Sequence, residues 1–270
     1  NAADPLGPLE QAERLLRHNP SLERAQMLEA TGVLRASAHE PWQGLAARAS
    51  AVWVDGTLKV DDSVPAHVRA LRATSAIVQP AARLSATLAV DATARLLPGC
   101  EVRTVQAACV RAGVQERDTR EDSARRTPSA ARLDAGGVEG ATWHELQGWW
   151  HAPKTACVDK GVCVDGDVVS AGDLSVGSGS VVRGSLKAAG RVVVREGSRI
   201  EGSVVAKNVD LGAGVFVTGS VVADEKAVLG PSCWVGETVA PATVLARDIV
   251  LYEGTGVSGG VAAHRAARAV

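Results

Sequence analysis

The residues best equipped for chemistry lie together in the string TWHELQGWWHAP, which holds Trp143, His144, Trp149, Trp150 and His151 and is followed by Cys157 and Cys163. Two histidines and two cysteines are metal-ligand types, and three indole faces are stacking platforms for sugar rings. The metal reading meets an obstacle in spacing. Five residues separate Cys157 from Cys163, longer than the step of zinc-binding pairs, and no second pair stands at a matching separation. Carboxylate pairs occur at Glu196 and Glu201 and at Asp224 and Glu225. There is no Gly-x-Ser-x-Gly, no phosphate loop and no dinucleotide fingerprint in its required context. The chain is therefore read as having no catalytic residues, no cofactor and no metal. Trp143, Trp149 and Trp150 remain, either as a plug at a junction between two parts of the chain or as a candidate partner-docking set.

What must position these residues is an unusual interior. Apolar residues make up 46% of 270, yet aromatics are only 3%, with one Phe and one Tyr, so the core is built from Val, Leu and Ala. Net charge is −1, from 29 basic and 30 acidic side chains, with no long basic run. Nucleic acid has no electrostatic footprint here. Five cysteines, an odd number without dense spacing, fit reduced thiols in a cytosolic compartment. No secretory signal pattern opens the chain, and no apolar run reaches the ~18 residues of a membrane span.

The organisation is a repeat. Glycines following a Val/Ile-x pair recur at Gly166, Gly184, Gly202, Gly219 and Gly236, in steps of 18, 18, 17 and 17, and return at Gly259 after 23. The longer last step places an insertion of about six residues at Glu237 to Ala242. Within each repeat, apolar or small residues alternate in steps of two and four, as in Leu186, Ala188, Val192, Val194, Ser198 and Ile200. Steps of two are the strand period, and steps of four carry the chain through a corner. Arg183, Lys187, Arg191, Arg195, Glu201 and Asp210 fall between the inward positions. The fold class is thus all-β: a parallel β-helix, or β-solenoid, with triangular coils of about 17–18 residues. Gly184–Ser185 and Gly202–Ser203 fall at corners, where positive φ or close backbone approach favours Gly.

A more degenerate solenoid section spans 32–109, where VDGTLKV at 54–60 matches VDGDVVS at 164–170. Inward positions there run Val54, Leu58, Val60, Val64, Ala66, Leu71 and onward to Val102, Val105 and Ala107. Residues 1–31 read as two helices, the second capped by Ser21 and closed at Gly32, and are expected to cap the first coil. An amphipathic helix binding a membrane or partner is the other reading. Residues 110–160 are a charged linker followed by the Trp-rich junction, 161–263 the regular solenoid, and 264–270 a tail. Residues 111–142 read as a mobile loop.

The string VRGSLKAAGRVVVREGSRIEGSVVAKNVDLGAGVFVTGSVVADEKAVLG resembles the bactofilins, a polymer-forming cytoskeletal family, most clearly over 160–263. The resemblance implies a right-handed β-helix that self-assembles without nucleotide as a cytoplasmic scaffold, often with membrane or cell-envelope proteins as partners. It departs from the family in its helical N-terminus, second section and charged interruption. With the first coil capped, the end near Val257, Val261 and Ala263 is expected to be open for self-assembly, with the tail either blunting its edge through Arg265 and Arg268 or fraying. Two alternatives stand beside this reading. One is a left-handed hexapeptide-repeat acyltransferase, disfavoured because no histidine occurs from 164 to 263. The other is a glycan- or envelope-binding module using Trp143, Trp149 and Trp150.

Overall fold

The computed structural model describes residues 4–37, 46–113 and 134–270. Among the described residues 55% are β-strand, and they wind a β-solenoid of about 12 turns with two short helices near the N-terminus. Coils stack in register. One inward column runs Val168, Leu186, Val204, Val221, Val244 and Val261. At ~4.8 Å per coil the stack is roughly 55 Å long. The inward positions Leu186, Ala188, Val192, Val194, Ser198 and Ile200 are all buried. The loop at 237–241 is the expected insertion, closed by reciprocal backbone bonds between Glu237 and Ala240 at 3.1 Å.

The polar groups of the interior are satisfied by the coil below. Ser180 and Ser198 are buried, and their hydroxyls donate to the carbonyls of Asp159 and Gly177 at 2.6 and 2.8 Å. Farther along the stack, the Cys233 thiol donates to Gly212 O at 2.8 Å and the Thr255 hydroxyl to Gly230 O at 3.1 Å. A small side chain with one donor thus fills a corner and pairs a carbonyl that would otherwise be buried unmet.

The recurrent Gly-Ser dipeptide has a second explanation. The Ser203 N–H donates to Ser185 Oγ at 3.2 Å, Ser220 N–H to Ser203 Oγ at 3.2 Å, and Thr243 N–H to Ser220 Oγ at 3.1 Å. Beside this ladder the glycines stack closely: a Cβ on Gly202 would lie 2.6 Å from the carbonyl carbon of Gly184. Of the two reasons expected for glycine at this corner, close approach is the one that applies at 184, 202 and 219, since none of these three has a positive φ.

The N-terminal section stacks strands Val33–Ser37, Ala51–Val60, Ala70–Val78, Arg83–Leu96 and Glu101–Ala112 in parallel. The degenerate register is correct except at the corner after Val60, where Ala66 is exposed and Val68 turns inward instead. Helices α1 (Gly7–His18) and α2 (Arg24–Thr31) precede it. The N-cap of α2 is Glu23 rather than Ser21, and Glu23 N–H donates to Gln26 Oε1 at 3.3 Å. The helices do not sit squarely over the first coil. Leu9, Ala12 and Met27 pack on an outward column of Val33, Ala51 and Ala70, along the flank of the stack. Arg72 holds α1 there, bonding Glu13 at 2.6 Å and lying 4.4 Å over the Trp53 ring. Leu28 reaches the interior core.

The two sections meet tail to tail. Strand Gly256–Ala269 pairs in parallel with Ala242–Leu251 on one edge and antiparallel with Glu101–Ala112 on the other. Antiparallel pairing between two final coils requires both sections to have the same hand, because turning a helix end over reverses its strands and preserves its handedness. The chain leaves this junction at Gly113 and re-enters at Asp134, at the far end of the C-terminal section. Residues 114–133, most of the expected loop, lie outside the described residues. The remainder of that loop contains strands Asp134–Ala135 and Val138–Glu139, which begin the first coil of the C-terminal section.

Candidate functional site

The surfaces that can act in a solenoid are its ends, because an unpaired final coil presents open backbone donors and acceptors. The end expected to be open at Val257, Val261 and Ala263 is closed. Val257 pairs with Val110 and Val261 with Val105, and the three residues are 1%, 0% and 5% exposed. Pairing runs along all three sides of the coil, through Gly256 to Val257, Gly259 to Ala262, and Ala267 to Arg268. Where the strands bend, single bonds complete it: Ala112 N–H to Thr255 O at 3.0 Å and Gly99 N–H to Ala269 O at 2.8 Å. Both coils present short aliphatic residues inward at matching corners, so their cores fuse into one. That match is the physical reason the open-end expectation fails.

Side chains reinforce the closure from outside. Arg268 Nε lies 2.8 Å from Glu101 Oε1, and Arg83 Nε lies 3.8 Å from the other oxygen. Arg268, read as a blunting charge, is therefore half of a cross-junction ion pair, while Arg265 bonds Asp248 at 3.3 Å. Trp234 leans over Gly256, where a Cβ would come within 1.8 Å of its ring, and reaches the Arg111 guanidinium at 5.4 Å from the ring centroid. Glu101, Arg111, Trp234 and Gly256 were not singled out by the sequence. The nearest signal was that Phe216 and Trp234 are the only Phe or Trp beyond Trp150.

The tryptophan segment lies at the opposite end, not between the two sections. Strands Thr142–His144 and Trp149–Ala152 form a hairpin on the first coil of the C-terminal section. Trp150 takes the inward register opposite Val168, packs on the core and donates from Nε1 to Asp165 O at 3.0 Å. Trp143 lies 5.2 Å from it, over Gly166. These two rings cover that end of the solenoid. The other face carries a separate set: His144 stacks on Trp149 at 5.7 Å and His151 meets Trp149 edge-on at 5.5 Å. Leu146, at the hairpin tip, is fully exposed.

Among the described residues the one group of potential metal donors is Glu139, Cys157 and Asp159, which includes neither His144 nor His151, and Cys163 stands on a different side of the coil. Burial pushes the Cys100 thiol up to about 11 and the Cys233 thiol up to about 12, away from any nucleophilic role. Among the described residues no helix is long and apolar enough to cross a membrane.

Against known proteins, residues 156–264 match the family described as Bactofilin: Polymer-forming cytoskeletal. No curated protein and no solved structure matches the chain.

Proposed function

With residues 156–264 forming a bactofilin domain, we propose that the protein is a non-catalytic structural scaffold whose polymer-type C-terminal end is held shut by its own N-terminal section. The observation that carries this is the antiparallel pairing of residues 101–112 around all three sides of the final coil. Such a rod cannot grow from that end. Self-association is left to the two outward ends, the edge strand Val33–Ser37 and the Trp hairpin, and the flanks serve to position cytoplasmic, membrane-associated or envelope partners. Neither nucleotide nor metal enters this role.

The test opens the junction from the N-terminal side while leaving the bactofilin domain unaltered. Val105 and Val110 are 0% and 1% exposed at the interface, so Val105→Asp with Val110→Asp buries two unpaired carboxylates there. Each costs several kcal/mol, enough to undock a coil. Light scattering and negative-stain microscopy should then find uniform short particles for the native chain and larger assemblies for the variant. Native filaments that the variant cannot form would overturn the reading.

A glycan-binding reading retains one observation, the outward face of His144, Trp149 and His151. Trp143 and Trp150 are committed to covering the solenoid end.

A further inference from the structure

The junction also gathers charge that no stretch of sequence contains. A cleft of about 500 Å³ opens at its edge, lined by Arg83, Ser85, Glu101, Arg103, His264 and Arg265 above a floor of Leu84, Val102 and Ala266. Three coils contribute, from positions as far apart as 83 and 265. The cleft exists because Ala266 occupies a column in which the two preceding coils carry Lys226 and Asp248. Around it stand Arg83, Arg103, Arg265 and Arg268 against Glu101 and Asp248. Asp62, whose Oδ1 accepts the Arg83 backbone N–H at 2.8 Å, stands behind Arg83, so the surroundings keep a local excess of one positive charge in a chain whose net charge is −1.

The guanidinium groups are available to a ligand. Glu101 takes its closer contact from Arg268 at 2.8 Å, leaving Arg83 at 3.8 Å with an 80% exposed side chain. Arg265 is 73% exposed and holds Asp248 at 3.3 Å. Arg103 donates only to the backbone carbonyl of His264, at 3.2 and 3.4 Å, so no carboxylate neutralises it among the described residues. Three arginines and the Ser85 hydroxyl line one cleft, and guanidinium groups suit phosphate oxygens in charge and hydrogen-bonding capacity.

We propose that this cleft binds a small, multiply charged phosphate, of pyrophosphate size, bridging the two sections. Because Arg83 and Arg103 belong to one section and Arg265 to the other, the ligand favours the closed junction by mass action. The site rests on the observed junction and not on the scaffold function, so it stands or falls separately.

Pyrophosphate is titrated into the full-length protein by calorimetry, with thermal unfolding in parallel, and the same protein is floated with phosphatidylcholine vesicles containing phosphatidylglycerol. The expected result is saturable binding that raises the unfolding temperature and weakens with salt. Arg83→Ala with Arg265→Ala should weaken it at least tenfold, whereas Arg183→Ala, an exposed arginine on another side, should leave it unchanged. Vesicle binding with the same arginine dependence, without pyrophosphate binding, would overturn the assignment to a small multiply charged phosphate in favour of a lipid headgroup at the same site. No saturable binding to either probe, or equal losses in the Arg183 control, would overturn the proposal.

Discussion

Replacing Gly202 by Ala separates the two reasons this chain uses glycine. An alanine Cβ at that corner would lie 2.5 Å from Ser185 Oγ, 2.6 Å from Gly184 C and 2.7 Å from Gly184 O. Two of these are backbone atoms in a stacked coil, so the coil spacing must open. Opening forfeits the Ser203 N–H bond to Ser185 Oγ, about 1 kcal/mol, and adds overpacking strain of about 1–3 kcal/mol. The unfolded-state gain of Gly→Ala returns about 0.4–1 kcal/mol. The net expectation is a loss of about 2–3 kcal/mol. Gly197 is the contrast: its φ is +67° but nothing lies within 4 Å of an added Cβ. There the left-handed backbone alone costs about 1–2 kcal/mol, less the same unfolded-state gain, for a net loss of about 1 kcal/mol. Urea unfolding of both variants decides it. If Gly197→Ala costs as much as Gly202→Ala, the close-approach argument is wrong. Ser232, at φ +57° in the same kind of corner as Gly197, shows that this position tolerates a side chain.

The junction makes its own prediction: Gly256→Val should displace Trp234 from the Arg111 contact, shifting tryptophan fluorescence and lowering the unfolding temperature, and an unchanged spectrum would disprove the packing. Thiol labelling of the native protein should reach Cys109, Cys157 and Cys163 and spare Cys100 and Cys233, which are fully buried. Both buried thiols ionise later in the folded state than unfolded, so their contribution is complete below pH ~8.5 and declines above it. The decline is about 1.4 kcal/mol per pH unit for each thiol until the folded values of about 11 and 12 are reached. Urea unfolding at pH 8 and pH 10 reads it, and Cys233→Ala should halve the difference. Arg72 and Arg17 lower the Glu13 carboxyl, so α1 docking is complete above the unfolded carboxylate range and weakens as pH falls through the folded value. Glu13→Gln should abolish that acid-side loss as followed by Trp53 fluorescence.

What the sequence could and could not encode follows from where information sits in a solenoid. Inward and outward alternate with period two, so a run such as Leu186 to Ile200 declares its own faces, and a charge at Lys187 or Arg191 fixes the phase. The corners were legible for the same reason, as was the 237–241 insertion, because a lengthened coil must bulge outward to keep its neighbours in register. An end is different. Val257 and Val261 would be apolar whether they faced solvent, a second copy or the chain's own Val110 and Val105, since the same residues line every coil. Only relations between distant positions distinguish these cases: Glu101 with Arg268, Arg111 with Trp234, and the missing side chain at Gly256 that lets the indole cross. The helices misled in the same way, because α1 has an apolar stripe that fits the end of a stack or its flank equally well. The small outward column of Val33, Ala51 and Ala70 decides between them, and it becomes a column only once the coils are stacked. In a molecule made of interchangeable layers, local pattern therefore specifies the layers, while function depends on which layer is last and what it touches.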